Sequence, residues 1–368
     1  MNGLERELRE RIALDGPITV ARYMSLCLAH PQHGYYMTRD PLGRAGDFTT
    51  APEISQMFGE LIGLWAAAVW QQMGAPQRVN LIELGPGRGT LMADALRAAR
   101  ALPAFRAALQ VHLVEISPVL VARQQTTLAE AGVPVLWHAD VAQVPGAQVE
   151  IVIANEFFDA LPIHQYVVAQ GGWRERLVGL DGEGALAFGV TADAIPVPFA
   201  PGAEGDVREV CPEAGAVVAR LAQRWRGGAG ALLAIDYGYA RARPGDSLQA
   251  LSGHAYSDVL ARPGEADLTA HVDFAALATA GRAAGLAAGP LLTQAALLAR
   301  LGIGARAERL AAAQPARAGE IEAACRRLAG TGEGEMGQLF KALALSSPGL
   351  PPLPGFDSAD PIVASLVS

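Results

Sequence analysis

Three glycines on alternate positions, set between an acid and a helix pattern, carry the strongest chemical signal in this 368-residue chain. They stand in Val79-Asn-Leu-Ile-Glu83-Leu-Gly85-Pro-Gly87-Arg-Gly89-Thr90. Glycine lets the backbone turn sharply and leaves no Cβ between chain and ligand. At the carboxyl end of a strand that is how a nucleotide-bearing cofactor is cradled. Glu115 closes the next apolar run, where an acid can accept both hydroxyl protons of a ribose. Asp140 and Val141 close the third run, where an adenine amino group would be read.

A nicotinamide cofactor would suit such a loop, but two details favour S-adenosylmethionine. The spacing is GxGxG and not GxGxxG, so the tight pyrophosphate turn is not specified. Glu83 also suits a cation, and S-adenosylmethionine carries an α-ammonium and a sulfonium where NAD presents a diphosphate.

A second set lies in Ala154-Asn155-Glu156-Phe157-Phe158-Asp159-Ala160-Leu161-Pro162, at the end of a fourth apolar run. Asn155, Glu156 and Asp159 should face the transferable group, with the two carboxylates on one side of a helical turn. Asp47 in Gly46-Asp47-Phe48 and Glu53 add acids from an early loop; Asp267, His271 and Asp273 form a third polar patch. Each has a plainer reading. Asp159 can cap a turn, Asp47 can bond loop amides, His271 can be structural, and Phe157 and Phe158 can be pocket wall.

The elements that must position these residues follow from periodicity. Runs at Val79–Glu83, Val111–Glu115, Val133–Trp137 and Glu150–Ala154 alternate with helices at Leu91–Ala101 and Ser117–Ala131. That alternation predicts a doubly wound α/β fold with a parallel sheet covered on both faces. Residues 76–162 and 215–240 form this core. Residues 1–75 are expected as an N-terminal helical segment with Thr19 and Ser55 as caps and a long loop at 30–55. Residues 163–214 read as an antiparallel β insertion, 241–345 as a loop and added helices, and 346–368 as a C-terminal segment.

Several stretches resemble one family: GDFTTAPEISQMFGELIGLW, IELGPGRGTLMADALR, VEISPVL, ANEFFDALPIHQY, IDYGY, GDSLQALSGH, ADLTAHVDF and MGQLFKALAL. The family is the MidA-like class I methyltransferases, and the resemblance runs in order from about residue 4 to 356. The chain has Ala51 where the family usually has serine. Mitochondrial members are complex I assembly factors that dimethylate an arginine of a peripheral-arm subunit. The resemblance implies a Rossmann-like class I sheet. It also implies a donor site of Glu83, Gly85, Gly87, Gly89, Glu115 and Asp140, with Gly46 to Phe48 as a lid. An arginine acceptor would need Glu156 and Asp159 to grip it, with Asp47 as accessory. A small-molecule methyltransferase and a catalytically silent assembly chaperone are the other readings.

Composition narrows the partners. The chain has 29 basic against 37 acidic residues, a formal charge of −8, and one lysine, Lys341. It lacks the basic face that nucleic acid requires. The apolar stretch Leu61 to Gln77 is too short and polar for a bilayer span. Residues 1–14 alternate acids and arginines, unlike a signal or transit peptide. Cys27, Cys211 and Cys325 form no CxxC pair, so buried thiols, no metal site and a cytoplasmic location are expected.

Overall fold

Apolar runs without alternation need cover on both faces; among the described residues the principal sheet has nine strands, three of them two-residue edge pieces and six its main body. The six are β1 (Val79–Leu84), β2 (Leu109–Val114), β3 (Val135–His138), β4 (Val149–Asn155), β5 (Ala229–Tyr239) and β6 (Phe340–Ser346). The computed structural model describes residues 1–40, 50–241, 244–253 and 255–358. Gly46, Asp47 and Phe48 therefore lie outside the described residues. The chain divides into two units: Met1–Phe48 with Asp159–Ala214 and Ala242–His271, and Thr49–Phe158 with Gly215–Arg241 and Val272–Ser368.

In the second unit the strand order is β6-β5-β4-β1-β2-β3. Strands β1 to β5 run parallel and β6 antiparallel to β5. β1, β4 and β6 are buried at every residue. Helices α1 (Gln56–Gln72), α2 (Thr90–Ala99) and α3 (Pro118–Thr127) belong to this unit. Their starts are set locally. Ser55 Oγ accepts from the Met57 amide and Ser117 Oγ from the Leu120 amide, with Pro118 opening α3.

The first unit holds the expected antiparallel meander, enlarged. Ile18–Thr19, Gly172–Leu180, His164–Ala169 and Val207–Val210 pair in that order, and Leu186–Val190 pairs with Gly172–Leu180. Helices Gly3–Asp15 and Val20–Ala29 bring Leu4, Leu8, Tyr23 and Met24 to its core. Thr19 caps the second of them, as expected, by accepting from the Arg22 amide.

Two expectations need correcting here. Residues 241–345 are not one run of loop and helices: Gln249–Ser252, Ala255–Ser257 and Asp267–Thr269 form a small sheet in the first unit, and β6 enters the core sheet. β6 reads FKALALS, whose Ala and Leu favour a helix in isolation, and pairing along β5 overrides that weak preference. Of the thiols, only Cys27 is buried; Cys211 and Cys325 are half-buried. Glu7, His30 and His33 do gather in the first unit. There His30 Nδ1 already accepts from the Gln32 amide at 3.3 Å, and its Nε2 lies 3.2 Å from Glu7 Oε2. Among the described residues no helix is long and apolar enough to cross a membrane.

Candidate active site

In a wound sheet the loops after the strands diverge where the strand order reverses, which here is between β1 and β4. Register places the residues. Leu84 pairs with Ala154 on one side and Val114 on the other, so Gly85 and Glu115 begin adjacent loops and Asn155 ends β4 beside them. Ile235 of β5 pairs with Asn155, which brings Asp236 to the same end.

The three glycines take φ of +62°, +53° and +79°, the left-handed region that only glycine enters without strain. A Cβ on Gly85 would also lie 3.0 Å from Phe157 Cδ2, so the ring packs onto the bare loop. Glu53 tethers the loop to its helix: the Thr90 hydroxyl donates to Glu53 Oε1, and Arg88 stands 3.8 Å from Glu53 Oε2.

Glu83 is 3% exposed. Its Oε2 has no hydrogen-bond partner among the described residues, nor has Asn155 Oδ1. Burial pushes the Glu83 carboxyl up to about 8. Orphaned buried acceptors are costly, so a pair of them beside a glycine loop marks a place for a ligand that donates hydrogen bonds. An ammonium-bearing donor satisfies that demand and a diphosphate does not.

Below 4.5 the Glu83 carboxyl is protonated folded and unfolded, and above about 8 both forms are ionised and the folded one bears the burial cost. Stability of the ligand-free fold is therefore lost as pH rises through this window. Affinity for S-adenosylhomocysteine should move oppositely, tightening from about pH 6 to about pH 8 as Glu83 ionises toward the ammonium. Calorimetry should show this in the parent and a flat profile in Glu83→Gln; an unchanged slope in the variant would refute it.

The Glu115 carboxylate is held on both oxygens. Oε1 accepts from the Ser117 amide at 2.8 Å and Oε2 from Gln124 Nε2 at 3.2 Å. Burial still raises it above the usual carboxylate range. Asp140 is half-exposed; its Oδ1 accepts from the Ala142 amide at 2.7 Å, and its Oδ2 lies 3.1 Å from Arg220. Val141 beside it is buried.

Glu156 is one of three non-glycine residues with positive φ among the described residues, at +51°. Its Oε1 accepts from the Ala51 amide and from Asn155 Nδ2, each at 3.1 Å. Fully buried Asp236 holds the turn that follows. Its Oδ2 accepts from the Phe157 and Phe158 amides at 3.1 and 3.0 Å, and its Oδ1 from the Tyr237 amide at 2.9 Å. This corrects the expected helical turn over residues 156–159: the left-handed residue and the Asp236 clamp exclude it.

Asp159 falls in the first unit, where its carbonyl accepts from the Ala270 amide. There the Tyr36 hydroxyl donates to Asp267 Oδ1 at 2.8 Å. Burial first, then the charges of Asp267 and Asp159, push that phenol well up. Asp273 caps a helix by accepting from the Ala276 amide, and the His271 amide donates to Ser247 Oγ. Sequence reasoning missed Gln124, Asp236 and Tyr36. Only Asp236 had a local signal, as an acid directly after the apolar run Ala231–Ile235.

Residues 61–290 match the family model described as S-adenosyl-L-methionine-dependent methyltransferase. The chain is 39% identical to the Mus musculus "Protein arginine methyltransferase NDUFAF7, mitochondrial", covering 82% of this chain and 74% of the relative. The Homo sapiens protein of that name is 38% identical with the same coverage. A superfamily member from Burkholderia thailandensis, bound to S-adenosyl-homocysteine, superposes with a TM-score of 0.81 and 30% identity, over 97% of this chain and 93% of that one. The expected cytoplasmic location is corrected by these relatives, which are mitochondrial proteins. Reduced thiols and an acidic surface suit any reducing aqueous compartment, so they never discriminated between the two.

Proposed function

We infer that this chain, which belongs to the S-adenosyl-L-methionine-dependent methyltransferase family, transfers methyl groups to an arginine side chain of a protein, a subunit of respiratory complex I. The observation that carries the reading is Glu156, a carboxylate pinned by two N–H donors at the carboxyl end of β4, beside the glycine loop. The relatives named as protein arginine methyltransferases support the acceptor class.

S-adenosylmethionine supplies an electrophilic methyl group on a sulfonium. We assign Glu83 to its ammonium, Glu115 to its ribose, Asp140 and Val141 to its adenine, and Gly85, Gly87 and Gly89 to close backbone approach. Asn155 completes that donor set among the described residues. The chain's own task is alignment and exclusion of water. A guanidinium stays protonated in proteins, so its nitrogen needs a carboxylate to orient it and to receive the proton that leaves. Glu156 takes that role.

The test is mass spectrometry of respiratory subunits from a strain lacking the gene. One arginine should lose its methylation and regain it on complementation. If every arginine keeps its methyl groups, the protein-arginine reading falls.

A further inference from the structure

Gln124 is 0% exposed on α3 and has a bonded neighbour on each side of its carboxamide. Nε2 donates to the Gly87 carbonyl at 2.7 Å and to Glu115 Oε2 at 3.2 Å. Oε1 accepts from Trp137 Nε1 at 3.0 Å. The amide's orientation is dictated by chemistry: an indole N–H only donates, a carbonyl and a carboxylate oxygen only accept. Oε1 must therefore face Trp137 and the NH2 must face Gly87 and Glu115. One buried side chain thus ties the glycine loop after β1, the acid after β2 and the body of β3 together. No other residue type of this size offers two donors and an acceptor in that arrangement.

We propose that Gln124 is a positioning residue for the donor: it sets the Glu115 carboxylate and the Gly87 peptide in the geometry that takes the ribose. The inference rests on the reading of Glu115 as the ribose acid. Glu115 has two oxygens and two hydroxyls to serve. With Oε1 occupied by the Ser117 amide, Gln124 decides how Oε2 is presented. Its contact to Gly87 couples that presentation to the loop, since a shift of the amide moves both partners at once.

The test uses the full chain and two probes, S-adenosylhomocysteine and its 2′,3′-dideoxy analogue, titrated by calorimetry. The parent should prefer the natural compound. Gln124→Met, close in volume but without polar atoms, should weaken S-adenosylhomocysteine about tenfold while leaving the analogue nearly unchanged, so that the preference collapses. Trp137→Phe removes the N–H that orients the amide, along with part of the ring, and should reduce the preference in the same sense, which keeps the question open to decision if the first variant does not fold. Equal weakening of both probes, or an unchanged preference in a folded variant, would overturn the proposal as mere packing. Glu115→Ala separates the two levels. If it abolishes the preference while the Gln124 variant keeps it, the ribose reading stands and the positioning role fails; if it leaves the preference intact, both fail.

Discussion

Glu156→Gln is expected to bind S-adenosylhomocysteine as the parent does and to transfer methyl groups about 10²-fold to 10⁴-fold more slowly. The amide is isosteric, and its carbonyl oxygen can still accept from the Ala51 amide and Asn155 Nδ2, the bonds that hold Oε1. Position is therefore kept while the charge is removed, and with it the group that receives the acceptor's proton. The acid is also held in a left-handed backbone that costs an L-residue of order 1–2 kcal/mol. A chain carries such strain where the side chain has to stand in one place. Calorimetry for donor binding and single-turnover methylation of the respiratory subunit give the two readouts. Turnover close to the parent's would remove Glu156 from the mechanism. Loss of both readouts would show that its part is structural.

Asp236→Asn should be the most damaging conservative change for the fold around the site. Three backbone N–H groups converge on this buried carboxylate, those of Phe157, Phe158 and Tyr237. Asparagine offers one accepting oxygen, so its NH2 must face at least one of these donors. A buried N–H turned against another donor loses its bond and gains repulsion, with an expected cost of about 3 kcal/mol. That corresponds to a fall in melting temperature of roughly 4 °C for a chain of this size. Because the clamp sets the path just after Glu156, transfer should fall with stability even at temperatures where the variant is folded. Thermal unfolding with and without S-adenosylhomocysteine measures the first effect, and turnover well below the melting point measures the second. A midpoint within a degree or so of the parent's would show that the turn is held by something else.

The parts of the site that were legible in the sequence are those specified by neighbours along the chain. An apolar run, Glu83, three glycines and a helix pattern form one local statement, and the structure returns it as β1, a left-handed loop and α2. The caps at Thr19, Ser55 and Ser117 are local in the same way. What could not be read is set by partners far apart. Asp236 and Phe157 are 79 residues apart, and Gln124 and Gly87 are 37 apart. The spacing of Glu156 and Asp159 suggested one helical turn; a clamp from a distant strand turned the chain otherwise and left Asp159 in the other unit.

Periodicity and glycine chemistry act over a few residues, so the wound sheet, the glycine loop and the acids at its strand ends were legible along the chain. Which acid is pinned in place, which is engaged by Arg220, which is orphaned, and which amide links the loops are settled by contacts between distant parts of the fold. Those outcomes depend on burial and on hydrogen bonds across the sheet, and neither exists until the strands have paired.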